Sequence, residues 1–109
     1  MSKYWEVKYT KGAKQDWDAL DTSQRHQVFK AIRKVSKSPL SKAEGGYGEP
    51  LGNKYGYNLT GCLKIKLRKL GIRVVYRVIR ENEIMKIIVI AARADEEVYE
   101  IATDRLKAE

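Results

Sequence analysis

The chain has 109 residues and a net charge of +8, with 43% hydrophobic and 33% charged residues. This length suits one domain spanning residues 1–109, and the composition is typical of a globular chain. The longest uncharged apolar run, Ile87 to Ala92, is far shorter than the ~20 residues of a membrane helix, and the N-terminus lacks the apolar segment of a secretion signal. One cysteine (Cys62) and one histidine (His26) exclude an internal disulfide and disfavour a zinc site. We therefore expect a cytoplasmic protein with no metal, no cofactor and no membrane partner.

The first forty residues predict a strand followed by a helical hairpin. Polar and apolar residues alternate from Tyr4 to Tyr9, which is the period of a half-buried strand. Apolar residues then recur at helical spacing on both sides of a break at 21–23. These two stripes are Ala13, Trp17 and Leu20, then Val28, Ile32 and Val35. The second helix should end near Ser38-Pro39, because the residue before a proline is disfavoured in a helix.

Residues 40–61 are predicted as a loop. They hold six glycines and Pro50, a composition typical of turns and irregular chain. Three tyrosines, Tyr47, Tyr55 and Tyr57, lie in the same stretch. We expect these rings to pack the loop against the rest of the domain, with a stacking surface as the alternative.

Three antiparallel strands are predicted between residues 63 and 92. Leu63 to Arg68 alternates polar and apolar residues without error, and a turn at 69–71 leads to a second strand from Ile72 to Ile79. After a turn at Asn82, residues 84–92 are apolar at nearly every position, as in a strand buried on both faces.

A short helix is predicted to close the chain. Asp95 is a good N-cap residue, and Val98, Ile101, Ala102 and Arg105 follow at helical spacing. The predicted fold class is therefore α+β, with an N-terminal strand, an α-helical hairpin, a three-stranded antiparallel meander and a short C-terminal helix.

The positive charge is concentrated in one segment. Between Glu49 and Glu81 no acidic residue occurs, whereas the remaining cations and acids of the chain balance. The basic residues of this segment are Lys54, Lys64, Lys66, Arg68, Lys69, Arg73, Arg77 and Arg80. Such a segment is typical of a protein that binds a polyanion, most often a nucleic acid, and the competing interpretation is a solvated face that aids solubility.

Cations on rigid strands suit the chemistry of a phosphodiester. Lys64, Lys66 and Arg68 share one predicted strand face, joined across a hairpin by Arg73. Phosphoryl chemistry depends on positioning and on stabilising negative charge, which such a cluster supplies. Because cationic neighbours help a lysine to release its proton, one of these lysines is also a candidate proton acceptor. Cys62 and His26 are expected to be a packing residue and a surface residue.

Two of the predicted strands and the segment after them resemble the RelE branch of the RelE/ParE toxin superfamily. The resemblance rests on the run from Lys64 to Arg68, the run from Gly71 to Tyr76, and Arg93 with Tyr99 ahead of the closing helix. It implies a RelE-like fold and a toxin held inactive by a cognate antitoxin protein. It also implies a ribosome-dependent messenger-RNA endonuclease that cleaves in the ribosomal A site by metal-independent attack of a 2′-hydroxyl on the adjacent phosphate.

The resemblance also implies roles for individual residues. Lys64 is the candidate general base, and Lys66 with Arg73 would stabilise charge on the phosphate. Arg93 would assist the leaving 5′-oxygen, and Tyr99 would stack on or orient the nucleotide. Arg68 and Arg77 are candidate contacts to RNA or the ribosome, with solvated strand charges as the alternative.

Three other functions compete with this hypothesis. A ParE-like toxin that acts on DNA gyrase shares the fold, but such relatives generally lack the combination of paired lysines, arginine and tyrosine. A basic RNA-binding module would bind RNA without cleaving it, and a ribosome-independent ribonuclease is disfavoured because the cluster lacks strong acid–base groups.

Leu63 stands where many relatives have an aromatic residue, and the loop at 45–57 is longer than in compact members, which bears on codon preference.

Overall fold

A computed structural model describes residues 4–108, which form five strands and three longer helices around one sheet. The elements are β1 (Glu6–Tyr9), α1 (Lys11–Asp18), α2 (Thr22–Val35), β2 (Glu49–Lys54), β3 (Tyr57–Leu67), β4 (Ile72–Ile79), β5 (Ile84–Ala91) and α3 (Asp95–Ala108). The sheet order is β1-β5-β4-β3-β2, with β1 parallel to β5 and the other neighbours antiparallel. The predicted α+β class, first strand, helical hairpin and C-terminal helix are confirmed. Within these residues, no helix is long and apolar enough to cross a membrane.

Local capping explains where the two helices of the hairpin begin. The Thr10 hydroxyl accepts a hydrogen bond from the backbone N–H of Ala13 at the start of α1. Asp21 and Gln24 form a reciprocal capping box at the start of α2, each side chain accepting from the other's backbone N–H. These bonds satisfy N–H groups that a helix start leaves without partners, so the break predicted at 21–23 begins α2.

Each face of the sheet carries its own apolar core. One face packs against α1 and α2, and its buried residues include Val28, Ile32, Val74 and Ile87. The other face packs against α3, and its buried residues include Leu51, Leu59, Val75, Val89 and Val98. β5 contributes to both cores, which confirms the prediction that it is buried on two sides.

The prediction of a loop over residues 40–61 is wrong for its second half. Residues 49–61 form β2 and the first part of β3, so the antiparallel part of the sheet has four strands rather than three. Leu51 and Leu59 of this hairpin are each 2% exposed and belong to the core under α3. The high glycine content of this segment predicted a loop, but Gly52 and Gly56 lie at a bulge and a turn of the hairpin.

Two sites in the hairpin show why glycine is needed there. The register of β2 against β3 shifts between Pro50 and Gly52, and Gly52 has a φ of 65° that side-chain-bearing residues rarely adopt. Tyr55 and Gly56 both have positive φ values in the two-residue connection, as in a type I′ turn. The turn residues therefore form a tight hairpin instead of a flexible loop.

The start of α3 also differs from the prediction. The sequence predicts Asp95 as the cap of this helix, but it is the first helical residue, and the N–H of Val98 bonds to the carbonyl of Ala94. With fourteen residues, α3 is as long as α2. It covers the sheet face on which the basic residues of β3 lie, so that face is not simply solvated.

Candidate active site

The five residues singled out by the resemblance meet at one end of the sheet face under α3. They are Lys64 and Lys66 on β3, Arg73 on β4, Arg93 between β5 and α3, and Tyr99 on α3. Lys66 lies opposite Arg73 in the β3–β4 ladder, and Lys64 lies two residues along the same strand face. Arg73 in turn lies opposite Ala91, the last residue of β5. Strand register therefore sets the spacing of three of the cations.

A sixth residue, Asp95, lies at the centre of this group. Its Oδ1 contacts Arg73 Nε, and its Oδ2 lies 3.6 Å from Lys64 Nζ. Arg73 also donates a 2.5 Å hydrogen bond from Nη1 to the backbone carbonyl of Arg93. One carboxylate and one guanidinium thus tie β3, β4 and the start of α3 together.

The charges around Asp95 determine its protonation. Burial by itself raises the pKa of this carboxyl group, but the positive charges of Lys64 and Arg73, the hydrogen bond from Arg73 and the charge of Lys66 outweigh burial and lower the pKa. Asp95 is therefore ionised at neutral pH. Three cations still face one carboxylate, so the group carries an excess of positive charge that suits a phosphate.

Lys64 is the most enclosed of the basic residues in the group. It is 7% exposed, and its Nζ lies 5.6 Å from the centre of the Tyr99 ring as well as beside Asp95. The sequence places only cations beside Lys64, whereas the fold adds this carboxylate. In this conformation Lys64 forms an ion pair with Asp95, so its side chain is engaged before any substrate arrives.

Tyr99 lies under the site instead of in the open cleft. It is 1% exposed, within the core beneath α3, and the exposed ring of Tyr55 meets it edge to face at 5.3 Å between ring centres. A ring in this position supports the Lys64 ammonium by a cation–π contact. In this conformation, Tyr99 does not offer a face for a nucleotide to stack on.

Arg93 is the most open member of the group. Its side chain is 64% exposed and its Nη1 lies 3.9 Å from the Glu97 carboxylate, one turn into α3. Such an exposed pair costs little to separate. The guanidinium of Arg93 is therefore available to a ligand held by the neighbouring cations.

The two candidate RNA contacts differ in their surroundings. Arg68 is exposed just past the end of β3. Arg77 is half-buried within the sheet, opposite Cys62 on β3 and Lys86 on β5, and its Nε is enclosed. Arg68 is therefore the better placed of the two to meet RNA.

The remaining candidates behave as predicted. Cys62 is buried in the core under α3, and His26 is exposed on α2, which packs on the opposite face of the sheet. Among residues 4–108, no three His, Cys, Asp or Glu side chains gather where they could hold a metal ion.

Sequence reasoning missed Asp95 as a member of the site and Tyr55 as a cover for Tyr99. Asp95 follows Arg93 by two residues, and its good capping propensity gave it an ordinary explanation. The available signal was the spacing of four residues between Asp95 and Tyr99, which places both on one helix face. No sequence signal links Tyr55 to Tyr99, because they meet through tertiary packing.

Comparisons with known proteins agree with this architecture. The sequence profile of the ParE toxin family of type II toxin–antitoxin systems matches residues 7–97. The mRNA interferase toxin RelE of Escherichia coli K12 is 34% identical over 94 residues, which cover 86% of this chain and 88% of that protein. The chain thus has named relatives over most of its length.

Solved structures show the same likeness. An E. coli RelE variant with two arginines replaced by alanine, in its free state, superposes with a TM-score of 0.73 at 29% identity, covering 94% of this chain and 98% of that one. RelE in the intact E. coli RelBE toxin–antitoxin complex gives a TM-score of 0.63 at 29% identity, covering 83% and 98%. The chain therefore belongs to the RelE/ParE family of type II toxin–antitoxin toxins and is of the RelE type.

Proposed function

We propose that this protein is the toxin of a type II toxin–antitoxin system and a messenger-RNA endoribonuclease that cleaves within the ribosomal A site. The observation that carries the proposal is the Asp95-centred group, in which Lys64, Lys66 and Arg73 present more positive charge than Asp95 neutralises. A phosphodiester carries the negative charge that would balance this excess of positive charge. The relative of 34% identity is named an mRNA interferase, which supports RNA as the substrate.

Substrate binding begins with an exchange of anions. A phosphate entering the group competes with the Asp95 carboxylate for Arg73 and Lys64, since both anions accept charge-assisted hydrogen bonds from the same donors. Lys66, opposite Arg73 and exposed, is the first cation that the phosphate meets. Asp95 thus acts as an internal counter-ion that the substrate displaces.

Cleavage then needs a single in-line displacement at phosphorus. The 2′-hydroxyl loses its proton, the bond from the 2′-oxygen to phosphorus forms, and the bond from phosphorus to the 5′-oxygen breaks. The products are a 2′,3′-cyclic phosphate and a 5′-oxyanion, which takes up a proton from solvent and becomes a 5′-hydroxyl. Arg73 and Lys66 stabilise the negative charge on the phosphate oxygens, and the exposed Arg93 assists the leaving oxygen.

Lys64 and Tyr99 act together beneath the phosphate. The resemblance assigns proton acceptance to Lys64, and in this role the neutral Lys64 amine, released from Asp95, takes the proton that the 2′-hydroxyl loses. Tyr99 is a positioning residue, because its buried ring lies against Lys64 and not against the open cleft. Its contribution is to hold the lysine at the site.

The partners follow from the same proposal. An antitoxin binds the toxin and blocks it, and the E. coli relative likewise occurs in the RelBE toxin–antitoxin complex. The ribosome supplies substrate positioning that a cluster of cations does not provide by itself. Since the substrate is messenger RNA on ribosomes, the activity belongs in the cytoplasm.

The test uses purified protein, programmed ribosomes and a short message with a defined A-site codon. Primer extension locates the cut for wild type, Arg93→Ala and Tyr99→Phe, with Lys8→Ala on β1 at the far edge of the sheet as the matched control. We expect ribosome-dependent cleavage in the A-site codon that Arg93→Ala reduces at least tenfold and Lys8→Ala leaves unchanged. Phenylalanine is used at position 99 because alanine would open a cavity under α3.

The main alternative is a ParE-like toxin acting on DNA gyrase, which the match to the ParE toxin family favours. An intact message combined with loss of DNA supercoiling by gyrase would assign the protein to that class. RNA binding without cleavage and without an effect on gyrase would show that the protein is a non-catalytic RNA-binding protein. Either result contradicts the proposed nuclease.

A further inference from the structure

A groove runs along the outer edge of β3, beside the cation cluster. β2 pairs with β3 as far as Lys64, so the edge of β3 from residue 65 to 67 extends beyond β2. Facing this edge are α2 and the loop that follows it, and together they enclose about 320 Å³. We name this space the β3-edge groove and define it by Lys34, Lys42, Tyr47, Glu49 and β3 from Lys64 to Arg68.

The β3-edge groove is strongly positive. Lys34 from α2, Lys42 from the loop and Arg68 from the end of β3 line it, in addition to Lys64 and Lys66 of the candidate active site. Glu49 is the one carboxylate among the residues that line it within the described part of the chain. Lys64 and Lys66 belong to both places, so the groove borders the proposed site of cleavage at the edge of β3.

Tyr47 gives the groove an exposed aromatic ring. It is 47% exposed, whereas large aromatic side chains are usually much better buried. The ammonium group of Lys34 lies 5.4 Å from the centre of its ring. A positive groove with an exposed aromatic ring is the usual architecture for binding single-stranded nucleic acid, in which phosphates meet cations and a base stacks on the ring.

The loop that carries Tyr47 is held by a network of backbone hydrogen bonds. The N–H groups of Gly46, Tyr47 and Gly48 donate to carbonyls of Ser41, Ser38 and Leu40 at 2.8, 3.0 and 2.9 Å. The ring is therefore presented from an ordered loop.

Close packing and an ion pair fix the same loop. A Cβ added at Gly46 would lie 2.0 Å from the Leu40 carbonyl oxygen, so the two backbone segments of the loop pack as closely as glycine permits. Arg80 forms a two-pronged ion pair with Glu44, with both N–O distances at 2.9 Å. Exposure of Tyr47 is thus a property of a rigid loop.

We propose that the β3-edge groove binds the single-stranded RNA on one side of the scissile phosphate, with a base stacked on Tyr47 and phosphates on Lys34, Lys42 and Arg68. The inference rests on the proposed nuclease function, because it takes the same RNA strand to continue from Lys66 into the groove. It adds Lys34 and Lys42 to the residues indicated by sequence, and the exposure of Tyr47 favours stacking over packing for that ring. The groove positions the strand and takes no part in the bond-breaking step.

The test measures RNA binding separately from cleavage. A fluorescent single-stranded RNA of about ten nucleotides is titrated into Arg93→Ala protein without ribosomes, because both the substitution and the absence of ribosomes suppress cleavage during the measurement. Lys34→Ala/Lys42→Ala is compared with Lys8→Ala/Lys11→Ala, which removes the same net charge away from the groove. Tyr47→Leu is compared with Tyr47→Phe, which keeps an aromatic face.

We expect the groove double variant to weaken binding about tenfold and to reduce the slope of log K against log salt by about 1.4 relative to its control. Tyr47→Leu should weaken binding at least about fivefold, and Tyr47→Phe should not. The same substitutions with Arg93 intact should reduce kcat/KM for the ribosome-bound message in the same order. Circular dichroism and urea unfolding show that each variant is folded.

Three other outcomes are decisive. Equal RNA binding by the groove and control variants overturns the inference. Unchanged RNA binding with lost binding of a poly-glutamate peptide also overturns it, because the groove would then be a protein-docking surface. RNA binding that follows the expected order while wild type fails to cleave messages supports the groove and contradicts the nuclease, so the two proposals fail separately.

Discussion

Two aspartate–arginine pairs hold opposite ends of α3, and they differ in how their charges are balanced. Near the end of the helix, Arg105 donates to both carboxylate oxygens of Asp16 on α1, at 2.6 and 3.1 Å. Arg105 also donates to the carbonyl of Ile88, and Asp16 accepts from the N–H of Ile90. One cation meets one anion, and backbone groups complete their hydrogen bonds.

The pair at the start of α3 is not balanced in this way. Asp95 meets Arg73 and Lys64, and Lys66 adds a third positive charge nearby. A purely structural pair needs one partner for each charge, because excess charge in a half-buried place costs free energy. The difference indicates that the Asp16 pair fastens the helix, whereas the Asp95 group is built to receive a further anion.

The largest expected effect is on activity at the unbalanced group. Arg73→Ala removes the cation nearest to Asp95 and to the carbonyl of Arg93. We expect ribosome-dependent cleavage to fall at least about a hundredfold, the usual cost of deleting a donor that stabilises transition-state charge. Primer extension gives the rate, with Arg73→Lys as the conservative control that should retain part of it. Equal rates for Arg73→Ala and wild type would show that the group does not act on the phosphate.

The next effect is on stability at the balanced pair. Asp16→Asn leaves Arg105, whose side chain is 28% exposed, without its counter-charge. We expect the free energy of unfolding to fall by about 2 kcal/mol, with unchanged cleavage at temperatures where the variant is folded. Urea unfolding measures the loss. Glu44→Gln is the matched control, because Glu44 pairs with Arg80 on the surface and its loss should change stability much less than Asp16→Asn does.

The smallest effect is expected from removing the internal counter-ion. Asp95→Asn keeps the shape of the side chain but no longer competes with phosphate, so RNA should bind about threefold more tightly at neutral pH. Fluorescence titration with a short single-stranded RNA gives the change. Weaker binding by this variant would show instead that Asp95 positions Lys64 and Arg73 for the phosphate.

A pH series sharpens the same comparison. The pKa of Asp95 is lowered in the folded protein, so its ion pairs stabilise the fold above the ordinary carboxyl pKa of about 4. That contribution is lost as the pH falls through the lowered pKa of the folded state. The difference in unfolding free energy between wild type and Asp95→Asn should therefore be constant near neutral pH and shrink below about pH 4. A difference that stays constant into acid would contradict the assigned cause of the pKa shift.

Much of the fold follows from local patterns. Helical and alternating apolar spacing located β1, α1, α2, β4, β5 and α3, and the register of β3 against β4 placed Lys66 beside Arg73 as the pattern required. β2 was missed because Gly52 interrupts its alternation at a bulge. A glycine at a bulge is chosen for its backbone conformation, so it adds nothing to the alternation of polar and apolar side chains.

The sequence predicted the residues of the candidate site more fully than the contacts between them. Residue types and spacing, together with the family resemblance, selected Lys64, Lys66, Arg73, Arg93 and Tyr99. They did not indicate that α3 would cover the basic face of β3, which buries Lys64 and Tyr99. Lys34 and Tyr47 likewise became candidates when α2 and its loop were found beside the free edge of β3.

The sequence by itself determined the class of fold, the concentration of positive charge and the strand that carries the paired lysines, because these depend on periodicity and composition over short distances. Tertiary structure decided that Asp95 neutralises part of that charge, that Tyr99 supports Lys64 from the core, and that α3 is fastened at both ends. These relations join residues 22 to 89 positions apart. Only the packing of α3 on the sheet brings such residues together, and no local pattern encodes it.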